Sequence, residues 1–329
     1  MAKLEVGIGA WLGSGPRTAS RIGDQAAKTE ALGFHSFWLP ENHFGEGNSI
    51  PAPFLLLAAA SVRTTKLKLG TGSYLLPIRH PIHMAEEVAV LDELSQGRVI
   101  LGVGRGYQSG MFEVFQTPVN EKRKRFEDAL EIMIAAWKGE PVGYDVSPRD
   151  SGSVCRGSAI YLSPKPVQKP HPPVWVAAFG PKALKQAGRL GLPYLASPVE
   201  TMASLEEKYD IHRASFKEAG RKKVDVIPVM RTVFVSREKS ALRDVRKRLI
   251  KEASELSRSP IASIRASAGQ SADDWTIVGE PREVHEKILE YQERLGMTHL
   301  IASRGRLGSI TAEEIETSIE LLAEIVQNI

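Results

Sequence analysis

Short apolar runs alternate with longer amphipathic segments along the whole chain. The short runs are rich in β-branched residues and predict strands, whereas the longer segments repeat their apolar positions at helical spacing and predict helices. The predicted strands are Leu4–Gly9, Ser36–Leu39, Lys68–Ser73, Val99–Val103, Val174–Ala177, Tyr194–Ala196, Val224–Val235 and Thr298–Ala302. The predicted helices are Ala19–Leu32, Phe54–Arg63, His83–Leu94, Lys122–Lys138, Pro181–Leu190, Met202–Ala219, Lys239–Ser257, Pro281–Leu295 and Ala312–Val326.

The order of these elements predicts an α/β fold. Eight strand–helix alternations favour a (β/α)8 TIM-type barrel, and a doubly wound sheet is the structural alternative. Polar segments at residues 139–169 and 258–274 interrupt the alternation, and we interpret both as insertions that either cover a pocket or decorate the surface. Residues 1–329 are therefore predicted to form a single barrel domain with two insertions.

The composition is that of an ordinary globular protein. The 329 residues are 42% hydrophobic and 25% charged, with 43 basic and 39 acidic side chains interspersed along the chain. Because no basic block is interleaved with aromatic residues, nucleic acid is not an expected partner. The densest basic cluster, Arg243–Lys251, is interpreted as the solvated face of a helix.

Cysteine and histidine usage argues against a metal site. Cys155 is the only cysteine, and the histidines do not show the HExxH spacing of a helical zinc site. No segment approaches about 18 consecutive apolar residues, and MAKLEVGIGAWLG has too short an apolar core for a signal peptide. We therefore expect a cytoplasmic protein that does not contact a membrane.

Polar residues follow several of the predicted strands at their carboxyl ends, where ligands bind in α/β folds. Asn42 and His43 come soon after the strand Ser36–Leu39, and His43 is the best candidate for proton transfer near neutral pH. The alternative is that His43 only caps the following turn. Two further strands run out into Gly72-Ser73 and Gly104-Arg105, which indicates a cofactor site.

The chain resembles the bacterial luciferase-like flavin monooxygenases. The segment WLPENHF is similar to their Trp-(x)2-Glu-His-His-Phe element, and GTGSYLLPIRHPIHMAEEVAVLDELSQGR followed by LGVGRGY is similar to their long central signature. The segment PVWVAAFGPKALKQAGRLGL resembles their fifth strand and helix, and VGEPREVHEKILEYQERLGMTHLI resembles their C-terminal unit. The resemblance covers nearly the whole chain.

The resemblance implies a TIM-type barrel that holds a flavin at the carboxyl ends of its strands. The family has a non-proline cis peptide at the end of the third strand, which supports the flavin ring, and the matching bond is Gly72-Ser73. Arg105 matches the arginine that meets the flavin phosphate, and its guanidinium suits that partner. Gly104 lets the backbone come close. The alternatives are an ordinary turn at Gly72-Ser73 and a carboxylate partner for Arg105.

A second part of the implied phosphate site follows the fifth strand. Ala178, Phe179 and Gly180 lead into a helix whose first amides favour phosphate. Several relatives have polar or acidic residues and a Ser/Thr where this chain has Phe179, Gly180 and Ala183, so only backbone donors remain here. Ser197 matches a serine that contacts the flavin ring after the sixth strand.

The resemblance implies a two-component monooxygenase. Such an enzyme receives reduced FMN from a separate flavin reductase and uses dioxygen to oxygenate a small organic substrate. Asn42 and His43 would lie near the reacting oxygen, with Trp11, Phe44 and Tyr107 as apolar pocket walls. Because Asn42 stands where relatives with two adjacent histidines have the first, and an amide does not titrate near neutral pH, light emission is not expected.

Two other functions stay open. One is hydride transfer with a deazaflavin coenzyme, which a branch of the same family binds with a similar bulge; the other is a non-catalytic flavin-binding subunit. The resemblance also implies a homodimer formed through helices near the second and third barrel units. The nearly continuous apolar run Phe54–Ala60 fits such an interface, and it equally fits burial against the barrel.

Overall fold

Strands and helices alternate in the computed structural model of the chain, which describes residues 3–11, 18–45, 49–144, 159–221, 224–259, 265, 271–304, 307 and 310–329. The strands are β1 (Glu5–Gly9), β2 (Ser36–Leu39), β3 (Lys68–Thr71), β4 (Tyr74–Leu75), β5 (Val99–Gly104), β6 (Gly143–Tyr144), β7 (Ala159–Ile160), β8 (Val174–Ala177), β9 (Tyr194–Leu195), β10 (Pro228–Val235), β11 (Thr276–Gly279) and β12 (His299–Ser303). The helices are α1 (Thr18–Ala31), α2 (Pro53–Ser61), α3 (Pro81–Leu94), α4 (Ser109–Val114), α5 (Lys122–Lys138), α6 (Pro181–Leu190), α7 (Met202–Glu218), α8 (Lys239–Leu256), α9 (Pro281–Leu295) and α10 (Ala312–Val326).

Eight of these strands close into a ring of parallel neighbours. The order around the ring is β1, β2, β3, β5, β8, β9, β10 and β12, and β12 pairs with β1. A bridge between Ala196 and Val229 joins the end of β9 to β10 and completes the circle. The predicted TIM-type barrel is therefore confirmed, and the doubly wound alternative is wrong because an open sheet has no such closure.

Large aromatic side chains fill the interior of the ring. Trp38 of β2 stacks on Trp175 of β8 with ring centroids 5.0 Å apart. Gly7 and Gly70 on the two neighbouring strands make room for Trp38, because a Cβ at either position would come within 2.6 Å of the indole. Ile100, Leu195 and Ile301 complete this cluster, and Met230 packs against it. A second and larger apolar layer lies between the barrel and the helices.

The structure differs from the sequence-based prediction in several elements, and the short strands β4, β6 and β7 are among those that were not predicted. The predicted strand Val224–Val235 begins only at Pro228, since proline has no amide hydrogen and is tolerated at the first position of a strand. The short strand β11 was not predicted; it pairs with the outer end of β10 and lies outside the ring. The one-and-a-half-turn helix α4 was also missed.

Part of each predicted insertion falls outside the described residues. Residues 145–158, with Cys155 among them, and residues 260–264 and 266–270 belong to this part. What is described of the first insertion includes the antiparallel pair β6 and β7. None of the helices among the described residues is long and apolar enough to cross a membrane.

Two histidines meet at the amino-terminal end of the barrel. The rings of His35 and His299 contact each other edge to face at 5.6 Å, and His299 contacts Trp175 in the same way at 5.1 Å. Burial, together with the smaller effect of the neighbouring His35, lowers the pKa of His299 to about 4. Burial also lowers the pKa of His35. Both imidazoles are therefore held neutral by the folded state.

We predict that the fold loses stability as the pH falls from 6.5 to about 4. The unfolded chain binds protons at His299 in this window and the folded chain does not, so acid favours unfolding by up to about 3 kcal/mol. His299→Gln removes the part of this dependence that His299 contributes, and the part that comes from His35 remains. Urea unfolding at several pH values checks the prediction, with the exposed His83→Gln as the matched control. Parallel stability curves for wild type and His299→Gln would contradict it.

Candidate functional site

The chain changes direction where β3 ends at the mouth of the barrel. The peptide bond between Gly72 and Ser73 is cis, as the resemblance implies. The amide of Gly72 donates to the carbonyl of Leu39, and β4 then resumes parallel pairing with the end of β5. The Gly72-Ser73 step therefore lies at the carboxyl end of the barrel strands, where the sequence predicts a cofactor.

Gly72, Ser73 and Gly104 lie together at this end of the barrel. A Cβ on Gly104 would come within 2.3 Å of Ser73 Oγ, and a Cβ on Gly72 would come within 2.8 Å of Met230 Cε. A side chain at either position would displace the neighbouring Met230 or Ser73 side chain, so glycine permits the close packing seen here. Three of the predicted cofactor residues are thus brought into one cluster.

Arg105 follows this cluster at the end of β5. Its side chain is half-buried, and within the described part of the chain it makes no hydrogen bond or ion pair. Burial lowers the pKa of Arg105, the nearby Arg123 lowers it further, and Glu127 acts in the opposite direction. A guanidinium with no protein acceptor at a barrel mouth can bind an anionic group of a ligand.

The amino terminus of α6 lies after β8, the next strand of the ring. Gly180 is the N-cap, Pro181 is the first helical residue, and a Cβ on Gly180 would meet no atom within 4 Å. Ala178 is buried, and the partly buried Phe179 packs against a small apolar cluster at this end of the barrel. An open helix amino terminus beside Arg105's strand is suited to a phosphate.

Ser197, which follows β9, has a firmly held backbone. Its amide donates to Glu200 Oε2 at 2.7 Å, and its carbonyl accepts from Arg231 Nη1 at 2.9 Å. Glu200 is fully buried and also accepts from the Tyr194 hydroxyl and Lys208 Nζ. This network fixes the loop that carries Ser197 at the mouth.

Asn42 and His43 have different surroundings although they are adjacent. Asn42 is exposed; its Oδ1 accepts from the Ile50 amide at 2.5 Å, and its own amide donates to the Ile50 carbonyl. The His43 ring is packed edge to face against Phe115 at 4.9 Å, and its Nε2 lies 2.7 Å from Glu41 Oε1. The Asn42 side chain is therefore held by the backbone of Ile50, whereas the His43 ring is oriented by a carboxylate and an aromatic ring.

Glu41 connects His43 to the cofactor cluster, and the sequence analysis assigned it no role. Its side chain is fully buried, and Oε1 also accepts from Arg79 Nη1 at 2.5 Å. Its Oε2 accepts from the amide of Leu75, two residues after Ser73. When Nε2 of His43 carries the hydrogen, it donates to Glu41 Oε1, and Nδ1 of the imidazole is left as an acceptor. The one sequence signal for this role of Glu41 was the position of an acidic residue shortly after a buried strand.

Aromatic side chains surround the mouth on this side. Phe44, Tyr107 and Phe115 are exposed by 64%, 48% and 37%, and Phe44 and Phe115 lie 5.8 Å apart. Phe44 and Tyr107 were predicted as pocket walls, whereas Phe115 was not. The predicted wall residue Trp11 is only 3% exposed and packs in the layer between barrel and helices, because its backbone is bonded to Gln25 of α1.

Comparison with known proteins places this barrel in a family. The family model that describes the luciferase-like monooxygenases matches residues 3–299 of this chain. The chain belongs to this family. Members of the family are oxidoreductases, which agrees with a ligand site at the barrel mouth.

Individual relatives cover less of the chain. The oxygenase component of a flavin-dependent trigonelline monooxygenase from Acinetobacter baylyi is 30% identical over 169 residues, which are 51% of this chain and 45% of that protein. The chain spans about half the length of the curated relatives it matches.

Solved structures resemble the whole chain. The oxygenating constituent of 3,6-diketocamphane monooxygenase from Pseudomonas putida, in complex with FMN, has a TM-score of 0.76 at 22% identity and covers 99% of this chain and 98% of its own. The coenzyme F420 dependent tetrahydromethanopterin reductase from Methanopyrus kandleri has a TM-score of 0.74 at 21% identity, with 99% of both chains covered. At these identities the likeness establishes the fold and leaves the cofactor open.

We predict that Glu41→Gln destabilises the fold by about 2–4 kcal/mol, because it leaves the Arg79 guanidinium facing a neutral amide in a buried position. Urea unfolding at pH 7 measures the loss. The matched control is Glu87→Gln, which touches the neighbouring Tyr74 hydroxyl from an exposed position and should cost much less. Equal losses in the two variants would show that Glu41 is not the centre of this network.

Proposed function

We propose that this chain is the oxygenase component of a two-component flavin-dependent monooxygenase. The observation that carries the proposal is Arg105, a half-buried guanidinium with no acceptor in the described residues, next to the cluster of Gly72, Ser73 and Gly104. These residues and the open amino terminus at Gly180 fit a ring with a phosphate tail. The proposed cofactor is reduced FMN.

The bound reduced flavin supplies the activation of dioxygen, and the protein supplies its position and surroundings. Gly72 and Ser73 would support the ring, while Arg105 and the amides near Gly180 would hold the phosphate. Ala178, Phe179 and Ser197 would complete the walls of this side of the mouth. The positions of these residues at the barrel mouth support the proposed roles.

His43 would hold or move a proton at Nδ1, because Glu41 occupies its Nε2. Asn42 Oδ1 is already bonded to the Ile50 amide, so only its amide hydrogens remain for a reacting oxygen. The aromatic rings of Phe44, Tyr107 and Phe115 would exclude water above the flavin. The substrate in this proposal is a small organic molecule, and dioxygen is the second substrate.

A deazaflavin-dependent oxidoreductase is the second candidate. The observation that favours it is the absence of hydroxyl and acidic side chains at Phe179, Gly180 and Ala183, which leaves the α6 corner to backbone donors. In that case the enzyme would transfer a hydride and would not consume dioxygen. A non-catalytic flavin-binding subunit would bind the cofactor without turnover.

Further parts of the proposal concern partners and location. A separate flavin reductase would deliver reduced FMN, and cytoplasmic location stays a prediction. The proposed homodimer is supported by exposed apolar side chains on and beside α2 and α3: Leu55, Val62, Val90 and Leu94 are 74%, 69%, 51% and 46% exposed. Helices α2 and α3 pack against each other, so these exposed apolar side chains lie on neighbouring helices and support an interaction surface there.

We predict that Arg105→Gln weakens FMN binding by roughly tenfold to a hundredfold, the value of a charge-assisted contact to phosphate. Riboflavin has the same ring without the phosphate, so its affinity should change little. Fluorescence titration measures both ligands, with Arg282→Gln as a control because Arg282 is exposed on α9 and is paired with Glu286. An equal effect on both ligands would overturn the assignment of Arg105 to the phosphate. Tighter binding of a deazaflavin than of FMN to the wild type would favour the second candidate.

We predict that the wild type sediments as a dimer of the 36.1 kDa chain and that Leu55→Asp dissociates it, because a charge placed in an apolar interface is desolvated. Ile250→Asp is the matched control, since Ile250 is 65% exposed on α8, away from α2. Analytical ultracentrifugation at micromolar concentration separates the species. A wild-type monomer, or dissociation by the control alone, would contradict the proposed interface.

A further inference from the structure

The excess positive charge of this chain is concentrated on the first half of α8. Residues 239–248 contain five basic side chains and one acidic side chain. Their net charge therefore equals the +4 of the whole chain, and the other residues balance one another. Because these side chains project from one short stretch of helix, the charge is focused on a small area of the surface.

Three of these cations have no partner among the described residues. Lys239, Arg243 and Lys247 are exposed, and none of them makes a hydrogen bond or an ion pair within the described part of the chain. They follow one another at a spacing of four residues, which places them in one row along the helix. Like charges at this spacing repel each other, so the row does not stabilise the fold.

The row forms one wall of a groove between α8 and the start of α9. The groove has a volume of about 490 Å³, and its charged lining residues are Lys239, Arg243, Arg246, Lys247, Glu280 and Glu283. Both carboxylates are already engaged. Glu283 accepts from Arg246 Nη2 at 3.3 Å and from the amide of Glu280 at 2.9 Å, and the Glu280 side chain accepts from the amide of Glu283. Positive charge is therefore left over in the groove after its own carboxylates are bound.

One exposed apolar side chain lies in the same groove. Ile250 is 65% exposed and also lines the groove. It follows Lys247 by three residues and Arg246 by four, so it lies on the same side of α8 as these cations. A single exposed isoleucine by itself indicates nothing. Within a basic groove, however, it adds an apolar contact to the charged ones.

The groove begins at the mouth of the barrel. Val235 at the end of β10 pairs with Gly279 at the end of β11. Helix α8 begins four residues after Val235, and α9 begins two residues after Gly279. Since the carboxyl ends of the strands form the mouth, a molecule bound at the start of this groove lies beside the opening.

An acidic protein segment fits this groove better than a nucleic acid or a membrane does. Helix α8 has no aromatic side chain on which a base could stack, and the carboxylates of Glu280 and Glu283 would repel a continuous phosphate backbone. A single exposed isoleucine is too little apolar surface for insertion into a bilayer. A protein segment can place acidic side chains opposite the row of cations and an apolar side chain on Ile250.

We propose that the groove between α8 and α9 docks an acidic segment of a partner protein. Acidic side chains of the segment pair with Arg243 and Lys247, and an apolar side chain of the segment covers Ile250. Under the proposed function, the flavin reductase is the partner that would arrive at the mouth. Only this identification of the partner rests on the proposed function.

The test measures the binding of fluorescein-labelled peptides to the flavin-free protein by fluorescence anisotropy. The probe is a helical peptide with a glutamate at every fourth position and leucines beside the glutamates. A second peptide has serine in place of leucine, and a third has lysine in place of glutamate. We expect saturable binding of the probe that weakens as salt is added, weaker binding of the serine peptide, and no binding of the lysine peptide.

Exposed side chains supply the variants, so the fold is not at risk. Arg243→Glu combined with Lys247→Glu should weaken the probe by roughly tenfold or more and should allow the lysine peptide to bind. The matched control combines Lys185→Glu with Arg189→Glu, which reverses two exposed cations at the same spacing on α6 and should leave binding unchanged. Ile250→Ser should weaken the probe by roughly threefold or more and leave the serine peptide unaffected.

Four outcomes would overturn the proposal. The first is a wild type that does not bind the probe, and the second is equal weakening by the α8 and α6 charge reversals, which would be an effect of net charge alone. The third is an Ile250→Ser variant that binds the probe as the wild type does. The fourth is tighter binding of oligothymidylate or of phosphatidylglycerol vesicles than of the probe, lost on reversal of the α8 charges, which would assign the surface to a nucleic acid or a membrane.

The outcome of this test is separate from that of the flavin titrations. Peptide binding requires neither flavin nor turnover, so a failure of the groove leaves the assignment of Arg105 to the phosphate intact. Conversely, a protein that binds the probe but no flavin would retain the docking surface and lose the proposed function.

Discussion

Direct contact between the backbones of β3 and β5 determines how the mouth of this barrel is built. A Cβ on Gly102 would come within 1.9 Å of the Thr71 carbonyl oxygen, and the Thr71 hydroxyl donates to the Gly102 carbonyl. Because no side chain separates these strands, Ser73 comes to rest on Gly104. The ring-supporting step and the strand that carries Arg105 are therefore positioned by the same contact.

Charged groups buried in the fold divide into two kinds. Glu41, Glu200, Arg98 and Arg231 are each surrounded by hydrogen-bond partners, and they hold loops and strands in place. Within the described residues, the half-buried Arg105 makes no hydrogen bond or ion pair, and the buried Arg304 makes one hydrogen bond, to the carbonyl of Ala302. A buried cation costs free energy unless a partner compensates it. Under the proposed function, a ligand would supply that partner for Arg105.

The alternation of strands and helices was sufficient to predict the barrel, because each strand needs a crossover helix and each helix shows its own periodicity. The prediction failed where the local pattern was weak. The four-residue strand β11 was missed, and the strand β10 was predicted to begin before its actual start at Pro228. Gly72, Ser73, Gly104 and Arg105 were found through the family resemblance. Their chemical roles remain predictions.

Contacts between remote residues could not be predicted from one sequence. Glu41 acquires its role from Arg79 and Leu75, which are separated from it by more than thirty residues. Phe115 meets His43 only through the missed helix α4.

The stacked indoles of Trp38 and Trp175 close the lower half of the barrel, with Met230 packed above them. Among the described residues, these rings and the aliphatic side chains around them are buried and fill the interior of the barrel below its mouth. Under the proposed function, spent cofactor and product would therefore leave through the same opening that admits the next molecules. The order in which the components of such a cycle bind and leave would then depend on this shared opening rather than on the depth of the pocket.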